Sequence, residues 1–105
     1  MNRLDSLRAQ LGGPRDGVLL RYSLGAALLD AGNATEAVAQ LRAALGFDPQ
    51  YSAAWKLLGR AQQTAGNPRE AGEAWRRGIT VAETRGDVQA AKEMRVFLKR
   101  LERKH

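Results

Sequence analysis

The chain repeats itself. Sliding the sequence by 34 residues lays 18–51 onto 52–85 and matches nine positions: Leu24/Leu58, Gly25/Gly59, Ala27/Ala61, Ala31/Ala65, Gly32/Gly66, Asn33/Asn67, Glu36/Glu70, Ala37/Ala71 and Arg42/Arg76. The matches gather around L-G-x-A, A-G-N and E-A, where a pair of helices needs particular residues. Self-similarity at this period predicts stacked helical hairpins, each unit burying an apolar face that it cannot cover alone.

Local chemistry agrees with that reading. Gly32-Asn33 and Gly66-Asn67 read as a helix stop followed by a helix start: glycine takes the left-handed conformation, and asparagine is suited to cap the next helix. Pro68 falls in a first helical turn, where its missing N–H costs nothing. Asp48-Pro49 ends a helix, since the residue before proline is pushed out of the helical region. Gly25 and Gly59 lie inside helices at a cost of up to ~1 kcal/mol each relative to alanine. Close approach of the partner helix at Ala37 and Ala71 is the expected compensation. The stretch FDPQYSAAWKLLG, residues 47–59, becomes the joint between units. Trp55 and Trp75 are expected as core anchors.

These residues resemble the tetratricopeptide repeat. Trp55, Leu58, Gly59, Ala71, Trp75 and Gly78 fill its pattern in one unit, and Leu24, Gly25, Ala37, Leu41, Ala44 and Pro49 in the other. Arg21 replaces the first aromatic, Leu28 and Gln62 the later one, and Glu83 stands where a closing proline would be, so the last helix of the second unit can run on. The resemblance implies an all-α fold of antiparallel hairpins stacked as a short right-handed solenoid of about six helices. The expected division is a single domain with an N-terminal capping helix and loop at 1–16, repeats at 18–51 and 52–85, and a C-terminal capping helix at 86–105. Leu4, Leu7 and Leu11 make an apolar stripe on the first helix, which Gly12-Gly13-Pro14 ends. Arg85-Gly86-Asp87 restarts the chain into a last helix whose stripe is Val88, Ala91, Met94, Phe97, Leu98 and Leu101.

Catalytic chemistry finds few candidates. The chain has no cysteine, and its one histidine is the terminal His105, so Cys/His and Ser/His/Asp systems are missing. LGGPRDG lacks the lysine and hydroxyl of a P-loop, and acidic residues do not cluster at metal-ligand spacing. No enzyme activity, cofactor or metal is expected. The longest mostly apolar segment, Val18 to Leu29, is interrupted by Arg21 and Ser23 and is too short for a bilayer. MNRLDSLRAQLGG carries charges and no apolar run of signal-peptide length, so a cytoplasmic location is expected.

What remains is surface recognition. In the family that the chain resembles, peptides lie in a concave groove lined by the first helix of each hairpin. The resemblance places Leu19, Tyr22, Ala26, Leu29 and Asp30 of the first unit there, and Ala53, Lys56, Arg60, Gln63 and Thr64 of the second. Lys56 and Arg60, four apart, project from one helical face. Beside an apolar strip they suit an extended peptide with one hydrophobic anchor and one carboxylate. Leu19, Tyr22 and Leu29 could instead be covered by the N-terminal helix or by a second copy of the chain, leaving a monomer or a weak homodimer.

The charge is lopsided. Residues 1–50 hold five basic and five acidic side chains, whereas 51–105 hold twelve and six, so the net +6 belongs wholly to the second half. That favours acidic partners. A protein or peptide partner is the leading expectation. Nucleic acid or another polyanion on the basic C-terminal helix is an alternative, and a self-assembling structural module is another.

Overall fold

A computed structural model describes residues 2–104. Met1 and His105, the outer ends of the two flanking segments, lie outside the described residues. All regular structure among the described residues is helical: α1 (Arg3–Arg8), α2 (Val18–Asp30), α3 (Ala34–Phe47), α4 (Ser52–Thr64), α5 (Pro68–Arg85) and α6 (Val88–Lys104). α3 stops at Phe47, ahead of Asp48-Pro49. α5, with Glu83 in place of a proline, extends to 18 residues against 14 for α3.

Three turns share one construction. Gly32, Gly66 and Gly86 have φ of 85°, 86° and 77°. Each donates its N–H three residues back, and the following residue donates five back, at 2.8 Å in all three: Asn33 to Leu28, Asn67 to Gln62, Asp87 to Ala82. This closes the last carbonyls of the preceding helix. The same residue also begins the next helix. Neither Asn33 nor Asn67 makes a side-chain cap, which corrects the sequence expectation. Closing the previous helix holds their backbones at ψ 64° and 71°, outside the extended region from which a cap side chain reaches forward. Asn67 instead donates to Gln62 Oε1 at 3.0 Å. Only at the third turn does a side chain cap its helix: Asp87 Oδ1 accepts from the Ala90 N–H at 3.2 Å.

Leu24, Leu28, Leu41, Trp75 and Met94 are the largest fully buried side chains, and Trp55 is buried beside them. The indole N–H of Trp55 donates to the Pro49 carbonyl at 2.8 Å, tying the joint between units to the helix that follows it. The helix-interior glycines are explained by large neighbours instead of small ones. A Cβ on Gly25 would lie 2.7 Å from Leu41 Cγ, and one on Gly59 would lie 2.1 Å from Trp75 Nε1. Ala37 and Ala71 are buried as expected, but Leu41 and Trp75, themselves 34 residues apart, are what the glycines accommodate.

The N-terminal segment departs from its expected length. α1 ends at Arg8, and the chain tightens into three-residue turns, Gln10 to Leu7 and Leu11 to Arg8, before the left-handed Gly12. Leu4, Leu7 and Leu11 still pack on the core, and Arg8 pairs with Glu36 of α3 at 2.8 Å. Asp16 then anchors the loop by accepting from the Gly12 N–H at 2.9 Å and from two nitrogens of Arg21 at 2.8 Å. The Arg21 guanidinium, foremost, and the Gly12 amide lower the Asp16 pKa to about 2.

The helices form two rows. α2 touches α4 and α4 touches α6, whereas α3 and α5 do not meet. The closer row, α2, α4 and α6, is therefore the inner side of the stack, and α3 with α5 forms the splayed outer side. α6 packs on both α4 and α5 and so extends the inner row as a third member. Its buried face is Ala90, Ala91, Met94 and Leu101, with Phe97 and Leu98 half-buried. Val88 does not belong to this face and is 68% exposed. Six residues at ~100° each put it about 120° round the helix from Met94.

Candidate peptide-binding face

The ten groove residues expected from the sequence, Leu19, Tyr22, Ala26, Leu29, Asp30, Ala53, Lys56, Arg60, Gln63 and Thr64, all lie on α2 and α4 of the inner row, and none is buried. Leu19 is 65% exposed, so α1 does not cover it. Tyr22, Ala26 and Leu29 are half-buried, and the Tyr22 ring meets Tyr51 edge-on at 5.4 Å. Arg60, Gln63, Thr64 and Asp30 are exposed.

The paired cations of α4 are not equivalent. Lys56 Nζ lies 2.8 Å from Glu93 Oε1 of α6, so its charge is already answered. Arg60 has no acidic partner among the described residues. A clamp built from both together, as the sequence suggests, would first have to displace Glu93.

Beyond that ion pair the seam between α4 and α6 opens. A cleft of about 540 Å³ is lined by Arg60 and Gln63 of α4, Trp75 of α5, and Phe97, Arg100, Arg103 and Lys104 of α6. Its floor is aromatic: Trp75 and Phe97 have ring centroids 5.4 Å apart at 47°. Trp75 is 1% exposed, and its indole N–H donates to the Lys56 carbonyl at 3.1 Å. The α6 residues were not among the expected groove positions. The 34-residue period carries the signal, since it starts a third first-helix at 86, beside the actual start of α6.

The N-terminal end of this row is closed by polar contacts. The Ser52 hydroxyl donates to Asp87 Oδ2 at 2.8 Å. That bond, then the Ala90 amide, holds the Asp87 carboxyl below its ordinary pKa. On the outer side, a second cleft of about 360 Å³ opens between α3 and α5, where Arg77 lies 4.9 Å over the Trp55 ring. Its rim carries both signs of charge, Arg42 and Arg77 with Glu70 and Glu73.

Comparison with known proteins matches this architecture. A TPR repeat-containing protein of Pseudomonas aeruginosa is 47% identical over 100 residues, covering 95% of each chain. A protein of Bordetella parapertussis known from a solution structure superposes with a TM-score of 0.86 at 42% identity, over 99% of this chain and 90% of that one. The tetratricopeptide repeat domain protein of Salinibacter ruber gives 0.76 at 26% identity, over 85% and 89%. The sequence model for the tetratricopeptide repeat matches residues 28–94. With glycines facing Leu41 and Trp75 at one repeat's spacing and three inner helices in a row, the chain belongs to the tetratricopeptide repeat family.

Proposed function

We propose that the chain is a non-catalytic interaction module that holds an acidic or carboxylate-bearing peptide segment along its inner face. Tetratricopeptide repeat proteins in general mediate protein–protein contacts and are not catalysts. The observation that carries the finer reading is Arg60, exposed and without an acidic partner among the described residues, on the same row as the half-buried Tyr22, Ala26 and Leu29. A free guanidinium on the same face as apolar surface suits a carboxylate next to a hydrophobic side chain.

Titrating acidic and basic peptides of matched length into isotope-labelled protein tests this. Acidic peptides should shift the amides around Arg60 and Tyr22, and basic ones should not. An acidic series that leaves both regions unmoved would falsify the proposal.

A second reading has its own support. Lys92 and Lys99 of α6 are exposed with no acidic partner among the described residues, as a polyanion-binding helix would require. Mobility shifts with duplex DNA separate the readings, because binding of that kind fades steeply between low and physiological salt. No helix among the described residues is long and apolar enough to cross a membrane.

A further inference from the structure

We infer that the cleft between α4 and α6 is the charged end of the recognition surface. There Arg60, Arg100, Arg103 and Lys104 receive carboxylates of an acidic protein segment, and an adjacent apolar side chain of that segment rests against Phe97. The inference rests on the peptide-binding reading and moves its anionic contact from the Lys56/Arg60 pair to a seam that α6 completes.

Register supports the placement. Lys56 meets Glu93 at 2.8 Å, an offset of 37 residues. α4 and α6 occupy alternate places in an up-and-down stack and run the same way, so that offset sets Arg60 opposite Phe97 and Gln63 opposite Arg100. Those four residues do line one cleft. Arg100, Arg103 and Lys104 are spaced i, i+3 and i+4 and share one side of α6. The seam therefore starts as a closed ion pair and widens into a cation-lined trough over an aromatic floor.

Among the described residues the charge there is uncompensated. The acids of the C-terminal segment are committed elsewhere: Asp87 to Ser52 and Ala90, Glu93 to Lys56, and Glu102 to Arg76 at 3.4 Å. None of the four cleft cations has an acidic partner among the described residues. The C-termini of α4 and α6 point the same way and supply together about one negative charge in partial dipoles. Against four full cations, the described residues leave roughly three positive charges over. An anion entering the cleft relieves this repulsion, and long-range attraction speeds its approach.

The occupant follows from shape and charge. A second copy of this chain brings a net charge of +6 and no acidic cluster of its own, so it would be repelled. A single-stranded nucleic acid gains its base contacts by stacking on open ring faces, whereas Trp75 is 1% exposed and its N–H is already bonded to the Lys56 carbonyl. A volume of about 540 Å³ falls within the range of small-ligand sites and accepts a few side chains, with arginines placed to take carboxylates in bidentate fashion.

The test uses the full chain, isotope-labelled, with three probes: an acetylated Phe-Glu-Asp-Glu-Glu peptide, the same peptide with lysine at each acid, and an oligothymidylate. The acidic peptide should shift the Trp75 indole N–H and the amides of 97–104. Arg100→Glu/Arg103→Glu, at exposed positions, should weaken its binding about tenfold or more, as reversing desolvated charges does. Lys56→Gln, which removes one cation already paired with Glu93 at the far end of the seam, should weaken it by no more than about threefold to fivefold, the worth of one partly exposed ion pair. If the acidic peptide binds but responds to Lys56→Gln and not to the α6 reversal, this inference is overturned while the peptide-binding function stands. If neither peptide shifts any resonance, or if the oligothymidylate binds in preference, both fall.

Discussion

The Trp75 indole occupies the space that a side chain at Gly59 would need. A Cβ there would lie 2.1 Å from Nε1 and 2.4 Å from Cε2, and the ring is pinned by its bond to the Lys56 carbonyl. Helix propensity alone would make Gly59→Ala stabilising by up to ~1 kcal/mol. Overpacking against a buried ring costs typically ~1–3 kcal/mol and can exceed that, so the clash decides the sign. Gly59→Ala should lower the urea midpoint. Gly25→Ala should lower it less, because its obstacle is the Leu41 side chain at 2.7 Å, which is smaller than an indole and is held by no hydrogen bond. A stabilised Gly59→Ala would contradict this packing.

Removing the ring tests the same contact from the other side. Trp75 is buried between α4, α5 and α6, with Phe97 at 5.4 Å. Trp75→Ala should cost ~3–5 kcal/mol, the usual range for a buried tryptophan. That is a large share of the total stability of ~5–15 kcal/mol typical of domains. Combining it with Gly59→Ala should be much less than additive, since the methyl group then enters the vacated space. Chemical denaturation of the single and double variants measures that coupling.

Much of this was legible in the chain because the repeat writes each constraint twice. The glycine stops at 32 and 66 and the burial of both tryptophans followed from residue type and spacing, and the run-on of α5 past Glu83 from the family resemblance. The misreadings came where one residue serves two masters. Asn33 and Asn67 close one helix while opening another, and the backbone geometry that does the first prevents their side chains from doing the second. The glycine partners were misjudged because a repeat match flags identical residues, such as Ala37/Ala71, and overlooks Leu41/Trp75, where the two units differ. Glu93 was invisible as the partner of Lys56, since that contact depends on how far α6 is rotated about its axis. The α6 contribution to the inner face was within reach of the period itself.

The loop ahead of α2 should make stability depend on pH in acid. Asp16, with its pKa lowered to about 2 from an ordinary 3.8 by the Arg21 guanidinium and the Gly12 amide, binds a proton less readily folded than unfolded. Its contribution is therefore full above about pH 4 and is lost as pH falls towards 2. Asp87 is shifted the same way by Ser52 and Ala90. Urea midpoints followed from pH 5 down to 2 should fall steadily in the wild type. In Asp16→Asn they should start lower and decline less steeply, with the remaining slope including Asp87. An unchanged slope in that variant would show that Asp16 titrates normally in the folded chain.

Glu93 acts on Lys56 as a built-in carboxylate, 2.8 Å away on the neighbouring helix. Both side chains keep about a third of their surface exposed, 30% and 38%, so the pair is worth only ~0–1 kcal/mol to the fold. Glu93→Gln should therefore leave the thermal midpoint nearly unchanged while releasing Lys56 and adding one cation to the end of the α4–α6 cleft. An acidic peptide should then bind roughly threefold to fivefold more tightly, about the worth of one exposed ion pair. Titration calorimetry at low and physiological salt reads both the gain and its electrostatic origin, which screening should diminish. Weaker binding by Glu93→Gln would mean that the carboxylate positions Lys56 for the ligand instead of competing with it, and the charged contact would then belong to the pair on α4.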